Sequence, residues 1–200
     1  LRELKEQITD ELLPRAFVRR RVTWAWIDPV NGWLVVDAAT PAKAEELLER
    51  LIKSVDDLPV RTLHTERSPS SAMTEWLQTG EPPAGFTIDR DLELCAADDS
   101  KATVRYVRHV LEGEEIQQHI AAGKTATKLG LTWNDRISFV LSEQLQLKRL
   151  AFLDILKEHS EQGDNADEQF DIDFTLMTGE VAKLLADVVE ALGGEKAKAV

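Results

Sequence analysis

Arg15, Arg19, Arg20 and Arg21 follow Pro14 at close spacing, with Phe17 among them, in a chain whose formal net charge is −12 at pH 7. Arginine donates two parallel hydrogen bonds from a planar fork, so a cluster of arginines suits phosphate or carboxylate. An evenly acidic surface repels a polyanion, whereas a basic strip set in an acidic protein gives it one place to dock. The same residues are equally compatible with a solvated face or with salt bridges to the many acids. Phe17 fits either a core position or an exposed apolar contact.

A second basic segment is Thr103 to Val110, which contains Arg105, Arg108 and His109 and no acid. Read as a strand, it places Arg105 and His109 on one face and Arg108 with Tyr106 on the other. Basic groups beside an aromatic on a sheet can contact sugar-phosphate and stack on bases, although a plain sheet surface has the same composition. From Lys124 to Arg149 there are five bases against two acids. Here Leu129, Leu131 and Trp133 point one way and Lys128 the other, so its ammonium is expected to be exposed. With Lys124, Lys148 and Arg149 it would form an electrostatic track blind to sequence.

Catalytic chemistry has little to stand on. His64, His109, His119 and His159 show no HExxH-type pairing, and neither GxxxxGK[ST] nor GxGxxG occurs. Asp171 and Asp173 fall on one side of a strand read over Phe170 to Met177. A magnesium ion would accept that pair, and a solvated surface explains it as well. Cys95 reads as a buried, inert thiol. The five tryptophans read mostly as core, with Trp24 and Trp26 on one strand face. No catalytic set, metal site or cofactor is expected; a magnesium-dependent nuclease built on Asp171 and Asp173 is the alternative.

The elements that must position these groups follow from periodicity. Leu1, Leu4, Ile8 and Leu12 recur at helical spacing until Pro14. Val22–Asp28 and Trp33–Asp37 read as a hairpin around ProValAsnGly. Pro41 opens a helix capped by Thr40, with an apolar stripe from Ala44 to Val55. Strands are expected at Leu58–Thr65, Gly85–Asp89, Leu92–Ala96 and Thr103–Val110. Short helices are expected at Ser71–Thr79, Glu112–Ala122 and Asp154–Ser160. Thr125–Trp133, Ile137–Leu141 and Leu145–Phe152 form a meander. A strand at Phe170–Met177 and a helix capped by Thr178 close the chain.

The expected class is α+β, largely antiparallel sheets with covering helices. It divides into 1–21 (helix and basic connector), 22–110 (an α+β part) and 111–200 (meander and terminal helix). With 43% apolar residues the chain can bury a core. One cysteine excludes an internal disulfide and suits a reducing, cytoplasmic setting. No run of about 18 apolar residues exists to cross a membrane. The helical pattern already under way at Leu1 reads as the interior of a longer chain.

LeuLeuProArgAlaPhe (12–17), TrpIleAspProValAsnGly (26–32), AlaGlyLysThrAlaThrLysLeu (122–129), LeuLysArgLeu (147–150) and AspPheThrLeuMetThrGlyGlu (173–180) resemble the recombination-associated RdgC family of Gram-negative bacteria. The likeness runs through GlyGlyGlu at 193–195 and corresponds to about the last two thirds of the family chain. It implies a ring-shaped homodimer with a basic hole that holds single- or double-stranded DNA without sequence preference. It further implies a nucleoid-associated protein that restrains a RecA-type recombinase by occupying its DNA. An exonuclease label is also attached to the family. Phe17 matches the apolar residue used at a ring-closing contact. Arg108 stands where the family has a DNA-facing lysine, and His109 where it has a glutamine. The charge is kept at Arg108, whereas a histidine is mostly neutral near pH 7.

Overall fold

The computed structural model describes residues 2–17, 20–111, 113–153 and 163–197. The chain divides into two compact units, Leu1–Val60 and Arg61–Val200. The expected helix at Asp154–Ser160 lies outside the described residues.

The first unit holds helix α1 (Arg2–Leu12), strands β1 (Trp24–Asp28) and β2 (Trp33–Asp37), and helix α2 (Pro41–Ser54). The hairpin forms as its turn chemistry requires. Asp28 Oδ1 accepts from the backbone N–H groups of Val30 and Asn31, each at 3.0 Å, and Oδ2 accepts from the Asn31 side chain. Gly32 then supplies a positive φ of 73°. Pro41 sits in the first turn of α2, as expected, but the Thr40 side chain makes no capping bond. The tryptophans here are not core: Trp24 is exposed, and Trp26 and Trp33 are only half-buried. Trp24 and Trp26 do share a face.

The second unit carries the hydrophobic core. Helix α3 (Pro69–Thr79) is capped by Ser68, whose hydroxyl accepts from the Ser71 N–H, and stops at Gly80 in the left-handed region. Strands β3 (Phe86–Ala96), β4 (Thr103–Tyr106), β5 (Lys124–Trp133), β6 (Ile137–Ser142) and β7 (Leu147–Phe152) form one antiparallel sheet in the order β4-β3-β5-β6-β7. Helix α4 (Glu114–Ala121) connects β4 to β5, and helix α5 (Ala166–Ala191) ends the unit. Leu92, Leu94, Ala126, Leu129, Leu131 and Leu141 line the inner face, packed with Met73 and Trp76 of α3, Ile116 of α4 and Leu184 of α5. The expected α+β class with antiparallel sheets and helices is what the structure has.

Further expectations fail for physical reasons. Among the described residues no strand lies beside Leu58–Thr65 to complete a ladder, and an isolated bridge joins Thr65 to Glu195. Gly85–Asp89 and Leu92–Ala96 are one strand, interrupted by a register shift between Ile88 and Leu92. Phe170–Met177 is helix, not strand. Phe170, Phe174, Met177, Val181, Leu184 and Val188 recur at three and four residues, and Asn165 caps the helix by accepting from the N–H groups of Asp167 and Glu168. Thr178 is therefore mid-helix and caps nothing; its hydroxyl donates to the Phe174 carbonyl.

Candidate nucleic-acid interface

Alternation along the strands sends one set of side chains away from the core. Glu93 of β3 stands opposite Arg105 of β4 and Lys128 of β5. Lys128 Nζ donates to both Glu93 oxygens, at 2.8 and 3.0 Å. Arg105 Nε donates to Glu93 Oε2 at 2.9 Å, and its Nη2 bonds the same oxygen. Thr127 Oγ1 donates to Oε1 at 3.1 Å. Burial alone would raise the Glu93 carboxyl, but the bonds from Lys128, Arg105 and Thr127 outweigh it and bring it down to about 2. Lys128 is thus paired and half-buried rather than free, which corrects its expected exposure.

One turn of the pleat away, Asp91 Oδ2 accepts from Arg149 Nη1 at 3.0 Å, and Oδ1 accepts from the backbone N–H of Arg108 at 3.0 Å. The strand expected to reach Val110 ends at Tyr106. Arg108 lies beyond it at φ 54°, so the alternation predicted for Arg108 and His109 does not apply. The His109 ring instead lies 5.5 Å from the Tyr106 ring, and His109 Nδ1 is 2.8 Å from the Val110 carbonyl oxygen. Arg105, Lys128 and Arg149 therefore share one sheet face, each matched to an acid of β3. Lys148 lies on β7 and makes no ion pair among the described residues. Lys124 lies elsewhere: two residues before the core residue Ala126, it reaches His119 of α4 at 3.1 Å.

The basic strip of the first unit behaves differently. Arg15, Arg20 and Arg21 are exposed, and Arg15 and Arg20 draw no ion pair among the described residues. Arg21 lies near enough to Glu46 to help lower that carboxyl, after the larger effect of Lys43. Phe17 is fully exposed, so it is not core within this chain. Arg19 lies outside the described residues.

The acids expected to suit magnesium do not converge. Asp171 and Asp173 sit two positions apart on α5, about 200° around a helix, because the segment is helical. Asp173 accepts from the Gln169 amide at 2.9 Å. No group of three or more His, Cys, Asp or Glu able to hold a metal occurs among the described residues. Cys95 is half-buried rather than buried. Sequence reasoning missed Asp91 and Glu93. Their signal was the alternation Asp89, Asp91, Glu93 against Leu92 and Leu94, which becomes visible once β3 is one strand.

The architecture defines a two-unit α+β protein whose larger sheet presents Glu93, Arg105, Lys128 and Arg149 on one face. A family model described as "Putative exonuclease, RdgC" matches residues 1–195. The chain belongs to the RdgC family. It is 61% identical over 199 residues to the Recombination-associated protein RdgC of Herminiimonas arsenicoxydans, covering 99% of this chain and 66% of that protein. It is 60% identical over 203 residues to the protein of that name from Dechloromonas aromatica, covering all of this chain and 67% of the relative. It is 55% identical over 197 residues to that of Burkholderia ambifaria, covering 98% of this chain and 64% of the relative. The chain thus spans about two thirds of the length of these relatives. Their names tie the family to recombination, and the exonuclease wording belongs to the family description alone. No helix among the described residues is long and apolar enough to cross a membrane.

Proposed function

We propose that this chain is the part of a sequence-independent DNA-binding protein that grips the phosphate backbone, working as a ring-forming homodimer in the cytoplasm and on the nucleoid. It restrains a RecA-type recombinase by occupying single- or double-stranded DNA rather than by cleaving it. The observation that carries this reading is the exposed Arg15, Arg20 and Arg21 strip around a fully exposed Phe17 in a chain of net charge −12. Exposed guanidiniums on an acidic protein are available to phosphate, and Phe17 is free for a second copy. Arg108, exposed and without a side-chain ion pair among the described residues, adds a donor.

The test is fluorescence anisotropy across a salt series with duplexes of unrelated sequence, linear and circular. The expected outcome is strong salt dependence, indifference to sequence and retention on circles. Arg20→Ala with Arg21→Ala should flatten the log–log salt slope by about 1–2, roughly 0.9 for each phosphate no longer neutralised. A slope unchanged by that pair, or a weakening confined to one sequence, refutes the reading.

A further inference from the structure

We propose that Asp91 is a positioning residue of the DNA-binding surface, fixing Arg108 and Arg149 as two phosphate donors on either side of β3; this rests on the DNA-binding reading above. The carboxylate divides its work. Oδ1 accepts from the Arg108 backbone N–H and Oδ2 from Arg149 Nη1, both at 3.0 Å. Both arginines hold left-handed backbones, φ 54° and 52°, a conformation unfavourable for a non-glycine residue unless its surroundings impose it. A charge-assisted bond to the Arg108 N–H is such an imposition.

The neighbouring backbone reinforces it. The His109 N–H donates to the Arg90 carbonyl at 3.0 Å, which seats the Arg108 turn against the irregular stretch of β3. Gly130 makes the room: a Cβ there would stand 3.3 Å from both Asp91 Cβ and Asp91 O. A cleft of about 370 Å³ opens between Arg90, Asp91, Gly130 and Arg149. Arg149 stays 75% exposed despite its bond, and the Arg108 side chain is exposed, so both can still donate outward. The ligand class is the phosphodiester, met by two guanidiniums: that of Arg149, bonded to the Asp91 carboxylate, and that of Arg108, carried on the backbone the same carboxylate holds.

A bare acid on such a surface would only repel DNA, so the sign of its removal decides the matter. Asp91→Ala should weaken duplex binding about three- to tenfold although the chain becomes less negative; tenfold corresponds to about 1.4 kcal/mol. In the Arg108→Ala, Arg149→Ala background the same substitution should tighten binding, because only the charge effect remains. Asp91→Asn keeps an acceptor for the Arg108 N–H and should fall between, which keeps the test usable should the alanine variant not fold. Exchange of the Arg108 amide hydrogen, measured by NMR, should quicken in Asp91→Ala. Tighter binding by Asp91→Ala in the parent, or an equal loss in both backgrounds, overturns the proposal. Absence of duplex binding by the parent itself at low salt defeats the DNA-binding reading, and the role of Asp91 falls with it.

Discussion

Replacing Glu93 by glutamine tests whether the β3 carboxylates hold the polar face of the sheet together. The perturbation removes one charge and leaves the shape. The Glu93 side chain is 13% exposed and takes bonds from Lys128, Arg105 and Thr127. Lowering its carboxyl from 4.5 to about 2 corresponds, at about 1.4 kcal/mol per pKa unit, to a ceiling near 3 kcal/mol. Arg105 is 63% exposed, so water screens part of that. A loss of about 1–2 kcal/mol is expected at pH 7, or roughly 2–8 °C in Tm for a chain of this size.

The sign of the pH dependence follows from the depressed folded value. The stabilisation is fully present above the unfolded pKa near 4.5 and is lost as pH falls towards about 2. Urea unfolding of parent and variant from pH 7 to pH 3 should therefore show a constant gap down to about pH 4.5 and a narrowing gap below it. A variant as stable as the parent at pH 7, or a gap that persists unchanged to pH 3, would refute the assignment.

Phe17→Ala should leave Tm within about 1 °C of the parent, because a fully exposed side chain contributes little to folding, and should weaken self-association in sedimentation analysis. An equal loss of Tm in a monomer would make Phe17 core. Gly130→Ala should cost about 1–2 kcal/mol in urea unfolding, since the new methyl would meet Asp89 Cβ at 3.2 Å and the Asp91 backbone at 3.3 Å. An unchanged midpoint would show that the strand yields freely there. Asn165→Ala should cost about 1 kcal/mol and reduce helical circular dichroism, by removing the acceptor for the Asp167 and Glu168 N–H groups. Unchanged ellipticity and stability would show that another group caps the helix.

What the sequence discloses depends on how local each determinant is. The β1–β2 hairpin, the α2 helix behind Pro41 and the three-strand meander are set by turn residues and periodicity a few positions apart, and they are legible. Phe170–Met177 is misread because Phe170, Ile172, Phe174 and Leu176 alternate while Phe170, Phe174 and Met177 also sit at helical spacing. The second pattern wins because it continues into Val181, Leu184 and Val188, all buried, the last two within the core. The basic residues at the candidate interface are legible as residues and illegible as free charges. Whether Arg105 and Lys128 are neutralised depends on cross-strand register against Glu93, and neither residue adjoins it in sequence. Arg108 escapes the strand alternation because Asp91, far away in the chain, bonds its backbone.

Helix α5 has one further consequence. At 26 residues it is about 39 Å long, yet its buried residues, Glu180, Val181, Leu184 and Val188, all lie in its C-terminal half. That half is riveted to the sheet, with Asp187 accepting from the Trp133 indole N–H at 2.7 Å and Glu180 from Arg136 at 3.0 Å. The outer half is held by its Asn165 cap, by the stacked rings of Phe170 and Phe174 and, near the midpoint, by Leu176 against the core. The helix is thus a cantilever: order propagates outward from a clamped root, and thermal opening starts at the tip without disturbing the core.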